Sequence, residues 1–126
     1  MNNRPIKFRA WSITGKCMYN WEQITVNQGS LYKFFLWPDV YELMQFAAKP
    51  SKTGVEIYEG DLIKFTKQYK CAELPAEAIF EVVYRDAAFC GENTDWLEYL
   101  GELMDTGDVE VIGNIYEHQH LLQEVR

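Results

Sequence analysis

The chain has 126 residues, of which 48% are hydrophobic and 15% aromatic, and its net charge at pH 7 is −7. This length fits one domain, and this apolar content can form a hydrophobic core without metal ions or disulfides. No segment approaches the roughly 20 apolar residues of a membrane span, and no apolar run typical of a secretory signal follows the N-terminus. The sequence therefore predicts a single domain over residues 1–126 that resides in the cytoplasm.

Acidic residues are concentrated in the last third of the chain. Residues 86–125 hold ten Asp or Glu and no Lys or Arg, whereas residues 1–85 hold eleven basic and nine acidic residues. An acidic surface repels phosphate, so nucleic-acid binding through this third is disfavoured. The same asymmetry can pair copies of the chain head to tail, and we expect a homo-oligomer that weakens as salt is raised. The alternative is a solvated acidic face that keeps the protein in solution.

Short alternating stretches predict strands in the first half of the chain. The predicted strands are residues 6–11, 17–19, 24–26 and 31–35. Gly15 suits the hairpin turn between the first two strands, because glycine adopts positive φ easily. Periodicity leaves strand and helix open for residues 40–46. This half therefore predicts a β-meander.

Residues 55 onward predict more strands and one helix. The strands are residues 56–58, 62–65, 79–84 and 109–112, with a long loop or hairpin tip over 68–78. The helix spans residues 95–104, where Asp95 and Glu98 have capping-box spacing and Gly107 is placed to end it. Gly113 is a candidate bulge. We predict a mainly β fold, borderline α+β: an N-terminal β-meander (1–54) packed on a small SH3-like, partly open barrel (55–126), with one or two short helices.

Three stretches share their order and spacing with one protein family. They are KFRAW at residues 7–11, LMQF at 43–46 together with EIYEGDLI at 56–63, and EVIGNIYE at 110–117 followed by Leu121 and Leu122. In these stretches the chain resembles the YopX family of uncharacterised phage and prophage proteins. It departs from the family at residues 47–49, where Ala-Ala-Lys replaces the usual Thr-Gly-Leu.

The resemblance implies a β-rich fold and a phage or prophage origin, and it implies no activity. It also singles out a set of signature residues, which we interpret as structural: Gln45, Tyr58, Glu59, Gly60, Asp61, Gly113, Asn114 and Tyr116.

Motifs that would carry catalysis are weak in this sequence. Glu59 and Asp61 could be paired carboxylates, but a tight turn normally supplies neither a shaped pocket nor a perturbed pKa. His118 and His120 could bind a metal ion, yet these are the only histidines and a zinc site needs further ligands. The three cysteines form no Cys-x-x-Cys pair, and nucleophile elbows and phosphate-binding glycine loops are absent from the sequence. We predict no catalytic, cofactor-binding or metal-binding residues and no enzymatic activity.

The aromatic and basic residues of the N-terminal part leave two functions open. Four aromatic residues lie near basic ones in the sequence: Trp11, Trp21, Tyr32 and Trp37, among Arg4, Lys7, Arg9, Lys16 and Lys33. Such aromatics stack on single-stranded nucleic acid in some small barrels, but more often they fill a β core. We therefore expect a non-enzymatic accessory protein of a phage or prophage that acts in the host cytoplasm through contacts with itself, a host protein or a phage protein. Single-stranded nucleic-acid binding through the N-terminal part is the alternative.

Overall fold

The computed structural model describes residues 6–27, 32–51, 53–68 and 74–121, and its fold is mainly β, as the sequence predicts. The described strands are β1 Phe8–Ser12, β2 Cys17–Tyr19, β3 Tyr41–Pro50, β4 Glu56–Tyr58, β5 Asp61–Lys67, β6 Glu77–Arg85, β7 Ala88–Glu92, β8 Leu97–Tyr99 and β9 Gly107–Asn114. They form two antiparallel sheets, with strand orders β2-β1-β3-β4 and β8-β7-β6-β5-β9. The second sheet is curled into a half-barrel. No helix among the described residues is long and apolar enough to cross a membrane.

The first sheet is built around β1. Ala10 pairs with Tyr19 of β2 on one side and with Leu43 of β3 on the other. Because side chains alternate along a strand, Ala10 faces a small core, which it forms with Ile24 and Phe34. For residues 40–46 the sequence left strand and helix open. From Tyr41 onward these residues belong to β3, so they form a strand.

The second sheet holds the larger core and is centred on β5. Phe65 pairs with Ala78 of β6 and with Val109 of β9, and its ring is fully buried. The β5–β9 register skips Ile112, so the predicted bulge lies one residue before Gly113. The predicted strands at 56–58, 62–65, 79–84 and 109–112 are confirmed.

Two predicted strands of the N-terminal meander are wrong. Residues 24–26 lie in a π-helical turn, Gln23–Asn27, and residues 32–35 lie in a short helix, α1 Tyr32–Leu36. The first turn is set by a capping box, because Asn20 and Gln23 each accept the other's backbone N–H at 2.8 Å. In α1 the burial of Phe34 in the small core outweighs the strand propensity of an aromatic run. The first sheet is therefore completed by β3 and β4, and not by the two predicted strands.

The predicted helix at residues 95–104 is also displaced. The observed helix, α2 Leu100–Thr106, begins five residues later and ends at Gly107 as predicted. Asp95 does not cap α2. The N–H of Asp95 donates to the side-chain oxygen of Asn93 instead. Leu97–Tyr99 instead forms β8, because these residues complete a ladder with β7 that the sequence did not reveal. In the predicted loop 68–78, β6 already begins at Glu77, and residues 69–73 lie outside the described residues.

Candidate functional site

The signature residues gather where the two sheets meet, and we call this set of eight the junction cluster: Gln45, Tyr58, Glu59, Gly60, Asp61, Gly113, Asn114 and Tyr116. The chain leaves the first sheet at Tyr58 and enters the second at Asp61, so Glu59 and Gly60 form the corner between them. Gly60 has φ +84°, a conformation that favours glycine. Its N–H donates to Val82 O at 2.8 Å, and its carbonyl accepts the N–H of Ile115 at 2.9 Å. The corner is thereby attached both to β6 and to the segment after β9.

Asp61 is the most deeply buried charged group of the corner, with 2% of its surface exposed. Its Oδ2 accepts the N–H of Tyr58 at 2.8 Å, and its Oδ1 lies 2.7 Å from a guanidinium nitrogen of Arg9 on β1. Burial raises the pKa of Asp61, and the charge of Arg9 and the Tyr58 N–H oppose that rise. The aspartate therefore holds the turn, as the sequence predicts, and it also pairs a charge across the two sheets.

The remaining cluster members are joined by further hydrogen bonds. Gln45 N–H donates to Glu59 Oε1 at 2.9 Å, and Glu59 N–H donates to Gln45 O at 3.0 Å. Asn114 Oδ1 accepts the N–H groups of Tyr116 and Glu117, which shapes the turn after β9. The Tyr116 ring stacks on Trp11 of β1 with 5.2 Å between centroids. These contacts place the junction cluster between the two sheets, where its members form hydrogen bonds with backbone groups and with each other.

A shallow cleft of about 240 Å³ lies beside the junction cluster. Its lining includes the carboxylates of Glu42, Glu59 and Glu81 and the rings of Tyr84 and Tyr116. Burial, and next the charge of Glu42, raises the pKa of Tyr116, and burial raises the pKa of nearby Tyr58 to about 12. Both phenols therefore stay protonated at neutral pH, so neither supplies a base there.

The two histidines do not converge on a metal position in the described part of the chain. Nδ1 of His118 accepts the N–H of Asn114 at 3.2 Å, and the ring covers Gly113, where an added Cβ would lie 2.6 Å from His118 Cγ. The ring of His120 is centred 6.4 Å away. Across residues 6–27, 32–51, 53–68 and 74–121, no three His, Cys, Asp or Glu side chains are placed to hold a metal ion. His118 is thus a structural acceptor that fixes the turn after Asn114.

Three of the five basic residues considered for nucleic-acid contact are engaged with neighbouring side chains. Lys7 forms an ion pair with Glu56, Arg9 pairs with Asp61, and Lys33 lies over the rings of Phe34 and Tyr41. Trp11 is stacked on Tyr116, and Trp21 lies half-buried, 6.1 Å from Phe8 between ring centroids. Arg4 lies outside the described residues.

Exposed apolar side chains are concentrated on one face of α1. Tyr32, Phe35 and Leu36 are 67%, 55% and 53% exposed, and Trp37, the next residue, is 58% exposed. Positions i, i+3 and i+4 share one face of a helix, and the opposite face carries the buried Phe34. We call Tyr32, Phe35, Leu36 and Trp37 the α1 patch. A strand over residues 31–35 would have placed Tyr32 on the same face as Phe34 and opposite to Phe35, so the sequence did not indicate this patch.

The α1 patch continues onto the first sheet through aromatic contacts. Phe35 meets Phe8 edge to face with 6.1 Å between centroids, and Phe8 in turn contacts Trp21 at the same distance. The four patch residues expose roughly 400 Å² of apolar side chain, if a whole aromatic side chain is taken as about 200 Å². The largest apolar patch on a typical monomer covers about 300–600 Å² and is often functional, and the α1 patch lies within this range.

Comparison with known proteins places the chain in a family. The chain is similar in structure to protein EF1440 from Enterococcus faecalis, with a TM-score of 0.64 and 26% identity over 95% of this chain and 99% of that chain. No curated protein matches the chain. Residues 7–123, nearly the whole chain, match the family described as YopX protein. The chain belongs to the YopX family.

Proposed function

We propose that this chain is a non-enzymatic protein-interaction domain of a phage or prophage, which acts in the cytoplasm of the bacterial host through its α1 patch. The observation that carries this proposal is the exposure of Tyr32, Phe35 and Leu36 on one face of α1 and of Trp37, the residue that follows the helix. Exposing large apolar groups to water is unfavourable by about 25 cal/mol per Å². A partner that covers them recovers this free energy, and aromatic side chains are enriched where such binding energy is concentrated.

The surroundings of the patch support contact with protein. Lys33, the basic residue of α1, lies 5.2 Å from the Phe34 ring centroid and 5.9 Å from that of Tyr41. Glu22 and Asp39, near the patch in sequence, are exposed acids. A site for single-stranded nucleic acid combines stacking aromatics with a positively charged groove. The α1 patch has the aromatics but a mixture of charges, which suits a protein surface better.

The titratable side chains of the junction cluster and of the turn after β9 hold the fold. Asp61 and Glu59, the carboxylates of the corner, accept backbone N–H groups. His118 likewise accepts a backbone N–H. These contacts support a binding role over a catalytic one.

The test is an affinity capture with the tagged wild type, Trp37→Glu and Val55→Glu, each with and without nuclease, from lysate of bacteria that also express the untagged chain. Capture of either a second copy or a different protein is then detected. Val55 is the matched control, because it is a similarly exposed apolar residue, at 49%, that lies outside the patch. We expect a protein that is retained by wild type and Val55→Glu, with or without nuclease, and lost with Trp37→Glu. Retention that depends on nucleic acid, or that is equal in all three variants, would overturn the proposal.

A further inference from the structure

We propose that the occupant of the α1 patch is a second copy of this chain, bound about a two-fold axis; this inference rests on the proposed function and names the partner. A two-fold interface uses the same surface on both copies, so the surface must complement itself in area, polarity and charge. The α1 patch meets each of these conditions.

The area is suited to a homodimer core. A standard interface takes about 800 Å² from each partner, with an apolar centre and a polar rim. The α1 patch supplies roughly 400 Å² of apolar side chain. Phe8 and Trp21, which adjoin it through ring contacts, extend the apolar centre. Exposed polar residues near it in sequence, such as Glu22 and Thr25, are available for the rim.

The charges are also compatible with a second copy. The border of the patch carries both signs, with Lys33 on α1 and Asp39 in the turn that follows it. If the two-fold axis passes between Lys33 and Asp39, the Lys33 of each copy lies toward the Asp39 of the other, so opposite charges meet across the interface. The acidic stretch from residue 86 onward instead belongs to the strands and helix of the second sheet, β7, β8, α2 and β9. Since α1 packs into the core of the first sheet, two copies can meet there without bringing the acidic stretches together.

Sedimentation velocity of the full chain over a range of concentrations tests this inference. We expect a dimer for the wild type and an unchanged dimer for Val55→Glu. For Trp37→Glu and for Leu36→Glu we expect a dimer dissociation constant at least about 30-fold higher, which is the loss typical of a binding hot spot. Circular dichroism and thermal melting establish that each variant is folded. Two patch variants are used so that misfolding of one leaves the other informative.

Salt dependence distinguishes this dimer from a charge-driven one. Both copies carry −7, so screening reduces their repulsion, and the dimer should hold or tighten between about 0.05 M and about 0.5 M NaCl. A dimer that dissociates as salt rises is held head to tail by the charge asymmetry, and it overturns the α1 interface. A dimer that persists in both patch variants overturns it as well. A wild type that is monomeric at high concentration, yet captures a different protein through Trp37, overturns the second copy while the proposed function stands.

Discussion

Removing the charge of Asp61 tests whether the ion pair at the sheet junction holds the fold together. The substitution Asp61→Asn keeps the size of the side chain and an oxygen that can accept the Tyr58 N–H. It removes the carboxylate that lies 2.7 Å from Arg9, whose side chain is only 13% exposed. A positive charge is then left buried without its counter-charge. Burial raises the pKa of Asp61, as it does for Glu81, but Asp61 has a buried cationic partner, and leaving Arg9 unpaired outweighs the relief of burying the carboxylate. We therefore expect a large loss of stability with little change of shape.

The magnitude follows from burial. Breaking a buried ion pair by removing one partner costs about 3–5 kcal/mol. A domain of this kind has a total unfolding free energy of roughly 5–15 kcal/mol, so the loss is a large fraction of it. The corresponding fall in melting temperature is ~10–20 °C. The Lys64–Glu77 pair is the matched control, because its N–O distance is 2.6 Å but its side chains are 44% and 58% exposed. Glu77→Gln is expected to leave the melting temperature nearly unchanged, because water screens an exposed pair.

Urea and thermal unfolding, followed by tryptophan fluorescence and far-ultraviolet circular dichroism, measure both variants. Coincident transitions by the two probes justify a two-state fit. The double variant Arg9→Met with Asp61→Asn should be more stable than Asp61→Asn alone, because it no longer buries an unpaired charge. Equal losses for Asp61→Asn and Glu77→Gln would refute the reasoning, as would a double variant that is no more stable than the single one.

Three further predictions concern local features of the fold. Gly107→Ala should lower the unfolding free energy by about 1–3 kcal/mol, because the added Cβ would lie 2.3 Å from Thr66 O. Gly101→Ala has open space around it on α2 and should raise the unfolding free energy by about 0.5–1 kcal/mol. Urea titrations that give both changes the same sign would contradict this. Asn20→Ala removes the capping-box acceptor before the π-helical turn and should cost about 0.5–2 kcal/mol, measured by the same titration; no change would mean that the turn is held by the burial of Ile24 alone. Glu81→Gln should raise the melting temperature at pH 7, and this gain should disappear as pH falls below about 4.5, the ordinary pKa of glutamate.

The sign of the Glu81 prediction follows from proton linkage. Burial, and next the charge of Glu92 directly across the β6–β7 ladder, raises the pKa of Glu81 above its ordinary value. The folded protein therefore binds a proton at Glu81 more readily than the unfolded chain does. The ionised carboxylate of Glu81 thus destabilises the fold at neutral pH, and this destabilisation is relieved as pH falls through the raised pKa. Melting temperatures of the two proteins from pH 3 to pH 8 give the comparison; a gain that persists at the acid end would show that ionisation is not its cause.

The local sequence was sufficient for four of the six described strands from residue 56 onward, and it missed β7 and β8. Residues 56–58, 62–65, 79–84 and 109–112 combine β-branched and aromatic side chains with flanking turn residues, and each forms a strand. Gly60 and Asp61 likewise form the corner that their conformational preferences predict.

Only the tertiary structure decided where those elements lie relative to each other. Tyr58 and Asp61 are three positions apart, yet their strands belong to different sheets, and the buried charge of Asp61 is balanced by Arg9, which is far away in sequence. The sequence contained a signal for the π-helical turn, since Asn20 and Gln23 have capping-box spacing, but no local pattern required residues 32–36 to be helical. That helix forms because Phe34 completes a small core with Ala10 and Ile24. Its other face is thereby turned to solvent, which is why the α1 patch was determined by packing and not by local propensity.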